Sequence, residues 1–599
     1  MSMLILFKRR WNISSDDFTV PMIIWCIIVA VVLSILFPIS SKYSHDGINN
    51  TFWNLILLIM IFLSISIVLQ LMIALISYRG AIYEHRKRTL IPIFLYTRLV
   101  IYIFEIIWTA FILLFFLFQV PIKYNLLIYA GIGTVLYEIV VFMYVAVSVW
   151  TLYVPYGRVS KANETLYGKT HTSWKKRIRL LFCCTQSDNK EALMEMVAEI
   201  MTSLFRNDNI VFGDILAGLF IMRICDYNIS SPLPAKKDAN IHSLKQHFLL
   251  SQYYVKYVLA TYGWAYMFSV DPFEYLYQSI RKSSKSQIFK KSSNSVEGNV
   301  SQQTLNTILR VTGLNFTDIL YVNYELDSPA FYVALDHPKK DVIISIRGTM
   351  SLNDLLIDLS AKSTVMNIDE TNQSIKIGHE GMVNAAVKIK EILIKKGLFV
   401  DVTRQFPDYT IVIVGHSLGA ATAAVLSILI KAIHPKTKAY CYACPNGLIE
   451  KEMLEYTKTF ITTTVIRNDI ISRLSLQSLK RACKRISNLI SECPFKKLEI
   501  LFLKKKKVTK YYQNTSHHNS FFTDTNRNAN EDYVQIDETY VDEKFYLPGK
   551  ILYITGKHKN GYNVNFEEND KFNVITLSNN SFTDHTPHCL QEMMKSVQF

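Results

Sequence analysis

The residues best able to do chemistry sit in one short run. Ile411-Val412-Ile413-Val414 leads into Gly415-His416-Ser417-Leu418-Gly419, and Ala420 opens a small-residue stretch that ends near Ile430. Four β-formers, a Gly-x-Ser-x-Gly turn and a helix-forming run supply the strand–turn–helix context of a nucleophile elbow. Such a turn strains the serine backbone, and the flanking glycines let strand and helix approach without a Cβ clash. The Ser417 hydroxyl then projects from the top of a sheet, and the Leu418 N–H faces the place where an oxyanion would form. A bare Gly-x-Ser-x-Gly is common by chance. The buried strand before it and the alanine-rich helix after it make a hydrolase the favoured reading.

A serine nucleophile needs a base, and the base needs an orienting carboxylate. In α/β-hydrolases these follow in the order Ser, Asp, His. The first aspartate after Ser417 is Asp469, just beyond the β-rich run Thr462–Ile466. The C-terminal end of a strand is where an open α/β sheet places its site. The plainer role for Asp469 is a helix N-cap before Ile470-Ile471-Ser472. Five histidines follow: His517, His518, His558, His585 and His588. The first two lie in a polar stretch without periodicity, and His558 ends a strand. His585 is preferred because Phe582-Thr583-Asp584-His585-Thr586-Pro587 reads as a loop opening onto a final helix; His558 and His588 stay as rivals. Oxyanion stabilisation calls for a second donor from an early strand end. Thr349, after Arg347-Gly348, fits that place with its N–H and hydroxyl, the alternative being a plain turn. Asp358 is read as a loop anchor.

Elements to position these residues are legible around them. Phe331–Leu335 and Val342–Ile346 flank the turn cluster Asp336-His337-Pro338-Lys339-Lys340, a hairpin signal. An amphipathic helix over Val383–Ile394, the elbow strand, strands near Ala439–Ala443, Thr462–Ile466 and Lys550–Thr555, and a helix from Pro587 to Val597 follow. Strands alternating with helices point to an α/β hydrolase, a mostly parallel sheet flanked by helices.

At 599 residues the chain exceeds one ordinary domain, and its mean hydropathy of +0.17 is high. The excess is local. Phe18–Ile39, Phe52–Ser77, Leu99–Phe118 and Leu126–Trp150 are each long enough to cross a hydrocarbon core as a helix. Lys8, Arg9 and Arg10 precede the first, but its length and the lack of a small-residue cleavage site mark an uncleaved anchor. Arg79, Arg86, Lys87, Arg88 and Arg98 lie between the second and third stretches, and a basic run follows the fourth. By the positive-inside rule both termini then face the cytoplasm. The expected division is a four-span membrane domain at 1–150, a basic linker and helical layer at 151–300, and a hydrolase domain at 301–599. Net charge is +16, yet no nucleic-acid motif accompanies it; an anionic lipid surface is the better partner. The nine cysteines show no zinc spacing, and Cys183-Cys184 is a palmitoylation option.

Arg347-Gly348-Thr349 with Leu355–Leu359, Ile377–Met382 and the Val414–Ala420 elbow resemble the class 3, fungal-type lipases. The opening Phe7–Pro21, the four spans, Leu181–Thr185, Phe331–Ser351, Val465–Ser475 and Phe582–His588 extend the resemblance over essentially the whole chain. It is similar to the sn-1-specific diacylglycerol lipases of the endocannabinoid-forming type. The resemblance implies a Ser417, Asp469, His585 triad and cleavage of diacylglycerol to a 2-monoacylglycerol and a fatty acid. It also implies plasma-membrane residence and no required cofactor; calcium stimulation would come only by resemblance, and no EF-hand loop is present. Two departures stand out. Ala443-Cys444-Pro445-Asn446-Gly447 replaces a Ser-Pro-Pro-Gly-Gly-like turn, and the chain ends without the long tail of larger members, so tail-dependent scaffold binding is not expected.

Residues 475–547 interrupt the sheet and read as a structureless insertion, a regulatory insert or lid in the resembling family. Leu498–Leu503 beside Lys504–Lys507 pairs an apolar patch with a polybasic run suited to an anionic membrane. Other membrane acylglycerol or phospholipid esterases are an alternative activity. A different class of reading is a four-span channel or receptor with an inactive hydrolase-like domain, to which Glu105 and Glu138 within the spans would point.

Overall fold

The computed structural model describes residues 3–7, 9–43, 50–119, 125–152, 175, 198, 211–229, 241–263, 297–299, 301–324, 329–348, 363–367, 374–503, 505–514, 545–558 and 561–597. The chain forms two compact units. One holds Met1–Thr185, Val197–Met222 and Cys483–Thr515; the other holds Gln186–Met196, Arg223–Ala482 and Ser516–Phe599. These units cut across the expected boundaries at 150 and 300. The helical layer does not stand alone, and part of the insertion belongs with the N-terminal helices.

The first unit opens with a hairpin of β1 (Met3–Leu6) and β2 (Arg9–Ser14). Four long helices follow: α1 (Thr19–Tyr43), α2 (Asn50–Ser77), α3 (Ile91–Gln119) and α4 (Asn125–Leu152). Thr19–Ile39, Ile56–Ser77 and His85–Ile112 are long and apolar enough to cross a membrane, while the described apolar stretch of α4, Ile132–Val147, is shorter. Large apolar side chains such as Ile27, Val31, Leu75, Ile103 and Val140 point outward, as lipid as solvent requires. Inside, Val29, Leu36, Ile59, Leu63 and Ile112 form a core. Glu105 is buried and accepts from Arg98 Nη1 at 2.9 Å, which makes it an ion-pair partner within the bundle. Arg88, one of the basic residues between α2 and α3, is also buried. Its guanidinium donates to Ser15 Oγ and to the carbonyls of Arg79, Ala81 and Ile82.

The insertion is not structureless as far as Asn514. Leu476–Ser491 and Lys505–Asn514 are helices, with a π-helical turn at Glu499–Leu503 between them; residues 515–544 lie outside the described set. Ile486 and Ile490 press on Gly218 of α5 (Phe212–Ile229), where any Cβ would overlap Ile486. Lys497 is buried, and its Nζ lies 2.6 Å from Asp17, 2.8 Å from Asp214 and 3.2 Å from Asp16. Burial opposes an ammonium, but three carboxylates outweigh it and raise its pKa.

In the second unit, helices α6 (Ile241–Thr261), α7 (Gln302–Thr312), α8 (Glu380–Lys395), α9 (Leu398–Gln405), α10 (Leu418–Lys431) and α11 (Pro587–Ser596) flank two sheets. The strands, in chain order, are β3 (Glu297–Asn299), β4 (Ile319–Asn323), β5 (Phe331–Asp336), β6 (Asp341–Ile346), β7 (Thr364–Asn367), β8 (Ser374–Ile377), β9 (Thr410–His416), β10 (Lys438–Tyr442), β11 (Ile449–Glu450), β12 (Ile461–Ile466), β13 (Phe545–Tyr546), β14 (Lys550–His558) and β15 (Gly561–Glu567). Among the described residues the main sheet runs β15-β14-β12-β10-β9-β6-β5-β4-β3, and β13-β11-β8-β7 make a smaller one. From β6 through β9, β10 and β12 to β14 every pairing is parallel. Period-two alternation explains why these strands are apolar throughout. Ile411, Ile413, Ala439 and Cys441 face one core, shared with α8 to α10. Val412, Val414, Tyr440 and Tyr442 face the other, shared with α6, α7 and α11. Helix α6, expected in a separate layer, is thus one wall of the catalytic unit.

Candidate active site

Ser417 sits where β9 gives way to α10, with φ 57° and ψ −127°. Positive φ is costly for a residue with a side chain, and the surrounding backbone enforces it. A Cβ on Gly415 would lie 2.1 Å from Gly419 O, and one on Gly419 would lie 2.5 Å from Ile346 O. Only glycine lets β6, β9 and α10 meet this closely. Helix α10 supports the approach with Ala420, Ala421, Ala423 and Ala424, all fully buried. Leu418 N–H is the first amide of that helix, among those that have no acceptor within it.

The structure brings Ser417, His585 and Asp469 into one line. His585 Nε2 lies 2.8 Å from Ser417 Oγ, and its Nδ1 lies 3.1 Å from each Asp469 carboxylate oxygen. Asp469 is fully buried. Its oxygens also accept from Ile471 N–H at 2.9 Å and from the Ser472 hydroxyl at 3.2 Å, so the N-capping contact and the histidine contact coexist. These bonds hold the carboxylate aimed at Nδ1. His558 closes β14, and His588 lies exposed in the first turn of α11. Thr349, Asp358, His517 and His518 lie outside the described residues.

Several residues at the site gave no signal in the sequence. Arg467, at φ 37°, pairs through Nη2 with Asp584, the neighbour of His585, and Asp584 also accepts from Asn468 N–H at 3.3 Å. The Asp469 loop and the His585 loop are therefore joined twice. Burial raises the Asp584 pKa against the pull of Arg467. Tyr262, just past α6, places its hydroxyl 2.8 Å from His416 Nδ1. The His416 ring lies 4.9 Å from the His585 ring. Burial and then the His585 charge push its pKa well below the usual range, so it stays neutral. On the other flank, His379 Nε2 meets Asn446 O at 3.3 Å, and Asn446 Nδ2 donates to Phe572 O and Asn573 Oδ1. Gly378 and Gly447 meet backbone to backbone there. The unusual Ala443–Gly447 turn is thus a buried junction. Among the described residues no group of three or more His, Cys, Asp or Glu is arranged to hold a metal ion, and the crowded Asp16, Asp17 and Asp214 already surround an ammonium.

Residues 7–153 match the diacylglycerol lipase N-terminal transmembrane region, and residues 343–479 match the class 3 lipases. The chain is 27% identical to mouse diacylglycerol lipase-beta over 83% of its own length and 78% of the relative's. It is 26% identical to human diacylglycerol lipase-alpha over 99% of its length, spanning 63% of that relative. A secreted mono- and diacylglycerol lipase A of Penicillium cyclopium matches 25% of the chain and 48% of the relative at 28% identity. With a class 3 lipase region built around the elbow and an N-terminal region that matches the diacylglycerol lipase transmembrane region, the chain is similar to the diacylglycerol lipases over nearly its whole length.

Proposed function

We propose that this membrane-anchored serine lipase hydrolyses the sn-1 ester of diacylglycerol, giving a 2-monoacylglycerol and a free fatty acid. The hydrogen-bonded line from Ser417 Oγ through His585 to Asp469 carries the reading. Ser417 Oγ attacks the ester carbonyl while His585 Nε2 takes its proton. Asp469 stabilises the imidazolium and keeps Nδ1–H in place. The Leu418 N–H, with Thr349, would meet the oxyanion. His585 then returns the proton to the departing glyceride oxygen, and water repeats the cycle on the acyl-enzyme. Diacylglycerol stays in the bilayer, so tethering raises the effective substrate concentration.

The lysine and arginine distribution supports cytoplasmic termini, and the family supports residence in the plasma membrane. An anionic leaflet is the surface the insertion meets: Phe502 is 72% exposed, and exposed Lys506, Lys507 and Lys510 follow it. An apolar anchor beside lysines binds such a leaflet through both terms. The rest of the insertion regulates access to Ser417. Replacing residues 515–544 by a short linker is expected to raise turnover of a small soluble ester, and unchanged turnover would remove that role. The central test uses full-length enzyme in membranes and diacylglycerol with distinguishable acyl chains. Preferential release of the sn-1 chain and labelling of Ser417 by a fluorophosphonate are expected. Equal release from both positions would overturn sn-1 selectivity, and absence of labelling would overturn the nucleophile.

A further inference from the structure

One phenol joins three parts of the catalytic centre. Tyr262 is buried between β6, the elbow and α6. Its oxygen lies 2.8 Å from His416 Nδ1. A buried phenol needs an acceptor for its proton, and Nδ1 is the one it meets, so the phenol donates to Nδ1. His416 is then a neutral imidazole carrying its proton on Nε2. The space is tight: a Cβ at Gly348 would lie 2.8 Å from the Tyr262 oxygen, 2.4 Å from His416 O and 3.2 Å from Ser417 Cβ. Gly348 in the Arg347-Gly348 strand end is therefore needed to admit the phenol.

We propose that Tyr262 is a positioning residue of the lipase: it ties the end of β6 to His416 and so fixes the imidazole that packs against His585. The proposal rests on the reading of Ser417 and His585 as nucleophile and base. Its physical basis is the imidazolium that forms when His585 takes the serine proton. A second ring at 4.9 Å must be neutral and fixed, since a protonated one would repel that cation and a turning one would crowd the ring that must face Ser417. The hydroxyl of Tyr262 sets both the orientation and the tautomer. It arrives from 154 residues upstream of His416, so α6 contributes to the catalytic centre as well as to the core.

The test compares Tyr262→Phe, His416→Ala and His416→Asn in the full-length membrane enzyme. Tyr262→Phe keeps the ring and removes only the donor. Its kcat is expected to fall about 10-fold or more with KM within about twofold, because leaving a buried acceptor unpaired is felt without touching substrate. Fluorophosphonate labelling should slow by the same factor while thermal unfolding moves little. His416→Ala should match that loss, and His416→Asn, whose amide oxygen stands near the Nδ1 position, should recover part of it. The Tyr262→Phe, His416→Ala double variant should be no worse than either alone. A wild-type kcat in Tyr262→Phe overturns the proposal, as do additive losses. Should Tyr262→Phe not fold, equal activity of His416→Ala and His416→Asn overturns it. Ser417→Ala keeps the two readings apart: full activity there would sink the triad itself, whereas inactive Ser417→Ala beside fully active Tyr262→Phe would sink only the role of Tyr262.

Discussion

The nucleophile and its acid–base partners are held in place by different means. The Ser417 corner is a backbone construction: two glycines, a strained φ and a run of alanines bring three elements into contact. The Asp469–His585 arm is a side-chain construction, in which two loops distant in sequence are held by paired charges and hydrogen bonds. Steric exclusion has almost no graded response, whereas a hydrogen-bonded arm weakens one bond at a time. The first corner should therefore fail outright under mutation, and the second by degrees.

Ser417→Ala should abolish diacylglycerol hydrolysis while leaving membrane insertion intact, measured by turnover beside surface expression. On the other arm, Asp469→Asn and His585→Ala should each lose on the order of 1,000-fold or more in kcat. Activity surviving in His585→Ala but lost in His558→Ala would assign the base elsewhere. Gly419→Ala breaks the backbone side of the contrast. The added methyl overlaps Ile346 O, so neither fluorophosphonate labelling nor turnover should survive. An active variant would show that the elbow yields. Arg467→Met tests the graded side. It leaves Asp584 buried without its partner, and kcat should fall roughly 10- to 100-fold, in line with about 1–3 kcal/mol for an orphaned buried group. A change confined to KM would show that the pair serves substrate binding instead.

Protons offer a smaller probe of the same contrast, since packed backbone does not titrate and buried side chains do. The His379 pKa is lowered to about 4 by burial. A group depressed in the folded state leaves the unfolded chain binding more protons below about pH 6.5. Its contribution is present above that pH and is lost as pH falls toward 4, on the order of 3 kcal/mol in all. Asp341 runs the other way. Burial raises it to about 6, so its contribution is largest below about pH 4 and is lost as pH rises through 6. Stability against denaturant from pH 4 to 6.5 should rise less steeply in His379→Gln than in the native chain; an identical slope would discard the assignment. Smallest of all, changing Lys504–Lys507 to glutamate should lower activity on anionic vesicles several-fold and leave a soluble ester unaffected. Equal losses on both would mean that the lysines support the fold.

How much was legible in sequence follows the same division. The elbow was readable because every residue that makes it lies within one strand, one turn and one helix. The β5–β6 hairpin was readable from its turn cluster, and β9, β10 and β12 from their apolar runs. Asp469 and His585 were reachable through chain order. Tyr262, Arg467 and Asp584 were not, because their partners are set by tertiary folding and no local pattern marks them. Two elements were missed despite a signal. Tyr562, Val564 and Phe566 alternate along β15. Leu479, Ile486, Leu489 and Ile490 share one face of the helix in the insertion, where the lysines and arginines between them draw the eye toward a loop.

Lys497 bears on the order in which the protein can be made. The turn holding Asp16 and Asp17 emerges from the ribosome at the start of synthesis, but the ammonium that neutralises it lies 481 residues later. Domains generally fold N-terminal first as the chain emerges, and three carboxylates cannot be buried together without a counter-charge. The helices can insert early, but the closing of that turn must wait until residue 497 has been translated. A nascent chain halted before Lys497 would therefore expose an open, acidic N-terminal turn, which a protease directed at residues 14–19 would cut and the finished protein would resist.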